Sequence, residues 1–224
     1  MGSVDEISRL SKLSKQHGCW FHVDAAYGGF FILLQEMKHL FAGIEEADSL
    51  CLDPHKSLFQ PYGCGIVLVK HREYLHKTFG YSSSLIDMSD NLNQSPADLS
   101  VELTRPFRGL QIWLPLLYHG VDTFTDALRE KRSLVMYAYS KLEELEFIQL
   151  GPKPHLTVFV FRHNGKGIQS KLQGGEKNDI GDDVILNGLN MKLKALFEDD
   201  GRVYLTSTEL DGCVWLRVAV HERL

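Results

Sequence analysis

The sequence predicts an α/β fold that is followed by a smaller α+β segment. In the first half of the chain, short apolar runs alternate with stretches of helical periodicity. In the second half, a long helical pattern precedes several strand-like runs. Strand, helix and strand at these lengths indicate a βαβ unit, in which the two strands run parallel with a right-handed crossover. We therefore expect a parallel sheet first and antiparallel strands later.

The elements of the first half follow from periodicity and end signals. Residues 3–16 repeat apolar side chains at helical spacing, and Ser3 with Glu6 forms a capping box at the start of this helix. Gly18 is placed to end it. Three strands and a second helix are predicted after it: strands at 19–26, 48–52 and 65–70, with the helix across 31–46.

The second half of the sequence predicts a long loop, a long helix and several strands. Residues 80–100 are rich in Ser, Asn and Asp and predict a long loop, and residues 108–145 are helical in period with a break near Pro115 and Gly120. The remaining segments are the strand "HLTVFVFR", a Gly-rich excursion at 164–183, a helix near 184–198, and the strands "RVYLTS" and "CVWLRVAV". We place a domain boundary before the long helical segment, with domains at 1–106 and 107–224.

Composition excludes several classes of protein. The 224 residues carry a net charge of −5 without a Lys/Arg-rich block, which argues against nucleic acid or an anionic membrane as the main partner. No apolar run is long enough to span a bilayer, and the first residues lack the apolar centre of a signal peptide. The four cysteines are scattered without a CxxC pair, so neither a zinc site nor a disulfide framework is supported. A cytoplasmic location is the prediction.

Two polar side chains stand at the ends of predicted strands. Asp24 follows the apolar run "WFHV", and Lys56 follows "LCL" and the turn at Pro54. Neighbouring parallel strands bring their C-terminal ends to one crevice, where ligands bind. One carboxylate and one lysine are thus expected within reach of the same small molecule. A lysine in such a place is able to act as a nucleophile that forms a Schiff base.

Each of these residues also has an ordinary structural interpretation. A single lysine after a turn is usually solvated, and burial statistics alone give a catalytic role only about 5%. Asp24 alone is also suited to cap a helix, and His55 alone to a structural hydrogen bond. The small residues from Ala25 to Gly29 would let a following helix pack closely on the sheet. Taken one at a time, these residues do not decide between the interpretations.

Taken together, the motifs resemble a known family. The stretches "HVDAAYGGF" and "ADSLCLDPHKSLFQPYGCGIVLVK", with "RPFRGLQIW" further on, resemble the group II pyridoxal-5′-phosphate-dependent decarboxylases, which include the aromatic amino acid, glutamate and histidine decarboxylases. The resemblance implies the C-terminal part of the type I fold of pyridoxal-phosphate enzymes: a remnant of the parallel-sheet large domain and a small C-terminal α+β domain. It also implies a carboxy-lyase with pyridoxal 5′-phosphate as cofactor and an amino acid as substrate.

The resemblance also implies roles for particular residues. Lys56 would hold the cofactor as a Schiff base, and Asp24 would pair with its pyridine nitrogen, which makes the ring an electron sink. Ala26 would lie against one face of the ring, and His55 would bond near the phosphate or the substrate.

Two further residues are implied less directly. Arg105 is expected to order the active-site region, and Tyr81 lies in the segment that corresponds to the family's mobile catalytic loop. Ser57 and Asp53 depart from expectation: many family members have a bulky aromatic after the lysine, and a carboxylate near a phosphate is unfavourable unless it points away.

Alternatives stay open at this point. The family's phosphate-binding loop lies upstream of residue 1, so the chain is expected to be an N-terminally incomplete piece. It would then be an active decarboxylase, another lyase or transferase of the same fold (sphingosine-phosphate lyases and cysteine desulfurases share the Asp and His-Lys pair), or an inactive truncated homologue. The resemblance implies a homodimer, or a heterodimer with a full-length relative. The identity of the amino acid is not encoded in these motifs.

Overall fold

A computed structural model gives the fold and describes residues 3–80, 95–166 and 182–220. The chain divides into two compact units, one of which spans Asp5–Leu128. The other combines Arg129–Leu224 with Met1–Val4. The boundary inferred from the sequence, between residues 106 and 107, stays a prediction.

The first unit begins with helix α1. It runs from Ile7 to His17, and Gly18 ends it in the left-handed conformation with φ of 62°, as predicted. The predicted start at residue 3 and the capping box are wrong, since Glu6 occupies the cap position and makes no side-chain cap hydrogen bond. The helices and strands that follow in this unit are β1 (His22–Asp24), β2 (Ser49–Leu52), α2 (Pro54–Ser57), β3 (Ile66–Val69), α3 (Arg72–Phe79) and α4 (Arg108–His119), with α5 (Val121–Glu143) crossing its end.

The sheet of the first unit has the strand order β1-β2-β3. Strands β1 and β2 are parallel, as the βαβ pattern predicted, although both are shorter than the apolar runs that contain them. Strand β3 is antiparallel to β2, and Leu52 pairs with Ile66. The connection of residues 53–65 therefore leaves and rejoins the sheet at the same end. The unit is α/β with a mixed sheet, so the expected parallel pairing is confirmed for β1 and β2 and wrong for β3.

The segment between β1 and β2 differs from the predicted helix over 31–46. It forms three short 3₁₀ helices, at Gly29–Leu33, Gln35–Phe41 and Ile44–Glu46. Gly43 interrupts them with a φ of 91°, which an α-helix does not allow. Gly29 is required for a different reason: a Cβ there would lie 2.1 Å from Cδ2 of Leu52. The small residue thus lets this segment lie directly on the end of β2.

The remainder of the first unit corrects the sequence analysis in two places. Helix α3 was not predicted, and the predicted loop over 80–100 contains the 3₁₀ helix Pro96–Leu99. The predicted break in the long helical pattern is confirmed at Gly120, between α4 and α5, whereas Pro115 lies within α4. Helix α4 has no buried residue, and the helices of the described ranges all lack the combined length and apolarity needed to cross a bilayer.

The second unit is the α+β segment that the sequence predicts, but the predicted strand "RVYLTS" is only partly correct, because the strand begins at Thr206 and ends at Leu210. Its elements beyond α5 are β4 (Ile148–Leu150, not predicted), β5 (Val158–His163), α6 (Asp182–Asp200), β6 (Thr206–Leu210) and β7 (Cys213–Ala219). The sheet has the order β4-β5-β7-β6 and is antiparallel throughout. Its core joins side chains of helix α5 to the sheet: Val135, Tyr139, Phe159, Phe161, Leu205 and Leu216.

Candidate active site

The parallel ladder of β1 and β2 sets the position of Asp24. Three pairs form this ladder, and in the last of them Asp24 lies opposite Cys51. The ladder is continued by the backbone N–H of Ala25, which donates to the carbonyl of Cys51 at 3.1 Å. Asp24 is exposed at the C-terminal end of β1, at the edge where parallel strands place ligands.

Two donors hold the Asp24 carboxylate. The backbone N–H of Ala26 donates to Oδ1 at 3.1 Å, and the thiol of Cys51 donates to the same oxygen at 3.2 Å. These two hydrogen bonds, in this order, lower the pKa of Asp24, and the positive charge of Lys56 lowers it further. Burial and the neighbouring carboxylate raise the pKa of the Cys51 thiol. Asp24 is therefore an anion and Cys51 a neutral donor at neutral pH.

Lys56 lies on the one-turn helix α2, which follows β2. Pro54 occupies the first position of this helix, where its fixed φ and missing N–H are tolerated. The Lys56 Nζ lies 2.7 Å from Oδ2 of Asp53, and the lysine side chain is 41% exposed. The lysine is thus accessible to solvent while it forms an ion pair with Asp53, three residues before it.

His55 has one ring nitrogen without a protein partner. Its Nδ1 is buried and makes no hydrogen bond, while Nε2 lies 3.8 Å from Oδ2 of Asp53. The ring centroid is 4.9 Å from that of Tyr62. A buried polar atom without a hydrogen bond costs about 1–3 kcal/mol. Such an atom indicates a place where a ligand would supply the partner.

Backbone and hydroxyl hydrogen bonds hold the Asp24 and Lys56 segments together. The N–H of Asp53 donates to the carbonyl of Ala26 at 3.1 Å. The hydroxyl of Ser57, which is buried, donates to the carbonyl of Tyr27. The residue after Lys56 therefore links the two segments through its short hydroxyl side chain.

The structure brings together four of the six residues singled out in the sequence: Asp24, Ala26, His55 and Lys56. Arg105 takes part in another network, in which Nη2 donates to the carbonyls of Pro96, at 2.9 Å, and Glu102. Tyr81 lies outside the described residues. In the part of the chain that is described, no group of three or more His, Cys, Asp or Glu side chains is suited to hold a metal ion.

Residues 1–164 match the family described as the pyridoxal-dependent decarboxylase conserved domain. The chain belongs to the pyridoxal-dependent decarboxylase family. Among curated members of this family, the aromatic-L-amino-acid decarboxylase of Bacillus atrophaeus is 31% identical over 220 residues, which cover 97% of the chain and 43% of that relative. A phenylacetaldehyde synthase of Petunia hybrida is 26% identical over 97% of the chain and 42% of its own length. The chain thus spans less than half of these decarboxylase-family relatives.

Solved structures agree with this membership of the decarboxylase family. The Catharanthus roseus tryptophan decarboxylase, in complex with L-tryptophan, matches with a TM-score of 0.79 and 26% identity over 98% of the chain and 42% of its own. The Oryza sativa enzyme with PLP and tryptamine matches with a TM-score of 0.84 at 21% identity, over 98% of the chain and 44% of its own. The predicted fold class, the C-terminal part of a pyridoxal-phosphate enzyme fold, is confirmed. The cofactor of the decarboxylase family is pyridoxal phosphate, also as predicted.

The residues present in this decarboxylase-family chain fit that cofactor. Lys56 offers a solvent-accessible amine, Asp24 an exposed carboxylate with a lowered pKa, and His55 a buried nitrogen that lacks a partner. Cys51 was not singled out in the sequence as part of the site. Its place two residues before Asp53, on the strand next to that of Asp24, was the available signal, but only the register shows that it lies opposite Asp24.

Proposed function

We propose that this chain carries the lysine and aspartate of a pyridoxal-phosphate-dependent decarboxylase that acts on an aromatic L-amino acid. The register of β1 and β2 is the observation that carries this proposal, because it brings the strand-end Asp24 and the segment of Lys56 to one edge of the sheet. The names of the curated relatives support the reaction and the class of substrate, since they include aromatic amino acid, tryptophan and tyrosine decarboxylases.

When bound, pyridoxal phosphate supplies an electron sink for the electron pair that remains on the substrate carbon after CO₂ departs. Three residues of the chain, Lys56, Asp24 and His55, would act around the cofactor. Lys56 would hold the cofactor covalently through Nζ and would yield it to the amine of the substrate. Asp24, anionic at neutral pH, would hold a proton on the pyridine nitrogen, and its hydrogen bonds to Ala26 and Cys51 keep the carboxylate oriented. Nδ1 of His55, which has no hydrogen-bond partner, would bond to the cofactor or the substrate.

A second function is favoured by one comparison. Phenylacetaldehyde synthases of Petunia hybrida and of a Rosa hybrid cultivar are among the curated relatives, at 26% and 27% identity. A chain of this lineage is therefore a candidate for a reaction whose product is an aldehyde. The two functions share Lys56 and Asp24, so the carbonyl or amine character of the product distinguishes them.

We propose further that the chain works in the cytoplasm and with a protein partner, either a second copy or a full-length relative. Helix α4 supports the need for a partner, since its apolar side chains Trp113, Leu117 and Tyr118 are 58%, 63% and 81% exposed. Exposed apolar surface of this extent is typical of an interaction site. A catalytically inactive chain that acts only as such a partner is the remaining alternative.

The test combines spectroscopy with a product assay. The purified chain and its Lys56→Ala variant are incubated with pyridoxal phosphate, reduced with borohydride and digested. We expect a visible absorbance band and a mass adduct on Lys56, and neither in the variant. Lys70→Ala is the matched control because Lys70 lies on the same unit, where it bonds to the carbonyl of Glu45 and pairs with Glu46.

Aromatic L-amino acids are then supplied, and CO₂ and the organic product are measured. Release of CO₂ with an amine supports the decarboxylase, whereas an aldehyde supports the second function. A folded chain that acquires no adduct on Lys56 contradicts both. An adduct without product favours the alternative in which the chain is inactive and serves as a binding partner. Sedimentation together with a full-length relative then tests that alternative.

A further inference from the structure

Asp53 lies beside Lys56 and His55, two of the three residues to which the proposed function gives a role around the cofactor. Its Oδ2 is 2.7 Å from Nζ of Lys56 and 3.8 Å from Nε2 of His55. The aspartate side chain is only 24% exposed, so solvent screens this pair less than it screens an ordinary surface ion pair. The sequence suggested that Asp53 would repel a phosphate unless its side chain pointed away; in the structure its carboxylate points toward Lys56.

The backbone favours this arrangement. Asp53 is extended, with φ of −117° and ψ of 94°, and its side chain makes no cap hydrogen bond to α2. Its carbonyl accepts the N–H of Lys56 at 2.9 Å, which closes the turn that brings the two side chains together. Oδ1 of Asp53 lies close to the backbone of Gly65, at an ordinary contact distance of 3.4 Å from where a Cβ would stand.

We propose that Asp53 is a positioning residue that holds Nζ of Lys56 in the cofactor-free chain and thereby slows the covalent loading of the cofactor. This inference rests on the proposed function, because it concerns the same lysine. It goes further by assigning to Asp53 a role in loading, as a residue that acts through Lys56 rather than on the reacting substrate.

The chemistry of loading explains the competition. Nζ first releases one proton, because only the neutral amine has an electron pair with which to attack the aldehyde carbon. The carbonyl oxygen then leaves as water with one amine hydrogen and the released proton, and a C=N bond that keeps the last hydrogen and the positive charge replaces C=O. The ammonium has three N–H donors and the product has one. The attacking nitrogen is the neutral amine, which forms no ion pair, so Nζ leaves the geometry that it holds with Asp53 when it reacts with the aldehyde.

The test measures loading at Lys56 directly. The native chain and Asp53→Asn are mixed with pyridoxal phosphate or with pyridoxal, which lacks the phosphate. Samples are reduced with borohydride at set times, and the adduct on the Lys56 peptide is measured by mass spectrometry. Partly exposed ion pairs are modest in strength, so we expect Asp53→Asn to load about two- to fivefold faster. The gain should be equal for the two aldehydes, because Asp53 acts through the lysine.

A matched control separates this effect from a change in net charge. Glu46→Gln removes one negative charge from the same unit, where Glu46 pairs with Lys15 and Lys70. Its loading rate at Lys56 should equal that of the native chain. Asp53→Ser is a second neutral variant, and circular dichroism shows which of the two is folded. One folded neutral variant is sufficient for the comparison.

The outcomes are distinct. A gain with pyridoxal phosphate alone overturns the inference, because Asp53 would then act by repelling the phosphate. An unchanged or slower rate in a folded neutral variant also overturns it, while leaving Lys56 as the tether. If Lys56 is labelled no better than Lys15 in any chain, the proposed function fails as well, and the two failures are thus told apart.

Discussion

The core of the second unit depends on Phe159, and Phe159→Ala is the substitution with the most direct consequence for stability. Phe159 is 1% exposed and lies in the cluster that joins α5 to the antiparallel sheet. Its ring centroid is 5.4 Å from that of Tyr139, with an interplanar angle of 73°, which is an edge-to-face arrangement. The substitution removes both the buried apolar surface and this ring pair.

The expected loss follows from these contacts. Burial of a phenylalanine side chain contributes about 1.5–3 kcal/mol, and an edge-to-face pair adds about 0.5–1.5 kcal/mol. The cavity left behind brings the usual cost of such a truncation to about 3–5 kcal/mol. That loss is a large part of the ~5–15 kcal/mol that stabilise a typical domain.

Urea unfolding of the purified chain, followed by circular dichroism, measures the change. We expect a lower midpoint with an unchanged slope, since the surface exposed on unfolding stays nearly the same. Phe107→Ala is the control, because Phe107 is 77% exposed and its truncation should change the free energy of unfolding by less than about 0.5 kcal/mol. A loss below about 1 kcal/mol for Phe159→Ala, or equal losses for the two variants, would refute the packing described here.

Three further predictions concern the first unit. The pKa of Asp24 is lower in the folded chain than its ordinary value of 3.8. Its contribution to stability is therefore present above that ordinary value and is lost as the pH falls through the folded pKa. Asp24→Asn should flatten this loss at acidic pH, as measured by urea midpoints from pH 5 downward. Cys51→Val should raise the pKa of Asp24 and Cys51→Ser, which keeps a donor, should not, as followed by carboxyl NMR titration; equal values in the two variants would contradict the thiol hydrogen bond. Gly43→Ala should destabilise the chain more than Gly18→Ala in urea unfolding, because both have positive φ but only the Cβ at 43 meets backbone, 2.7 Å from Cα of Ser8; equal losses would show that this approach relaxes.

Periodicity and spacing predicted much of the frame of the first unit. The end of α1 at Gly18 and the break at Gly120 follow from local signals that the structure confirms, because they depend on residues near in sequence. The parallel pairing of β1 and β2 joins residues far apart in sequence, and it was predicted from the order and lengths of the elements.

Features set by distant residues were missed. The segment after β1 has helical spacing, yet its glycines and its close approach to Leu52 leave only 3₁₀ turns. The hydrogen bond from Cys51 to Asp24 depends on strand register, and the turn of Asp53 onto Lys56 depends on a side-chain rotamer. The spacing of residues in the motif predicts neither the strand register nor the side-chain rotamer.

The three-pair ladder between β1 and β2 has a consequence for how the chain tolerates changes in length. Side chains alternate along a strand, so a slip of one residue would turn Asp24 to the opposite face of the sheet while Lys56 stayed in place. An insertion within residues 22–24 would shift this register, and one directly after Asp24 would displace the backbone groups of Ala26 and Tyr27 that hold the neighbouring segment. The position of Asp24 beside Lys56 thus depends on chain length in the few residues that end β1, and not only on which side chains the motif contains.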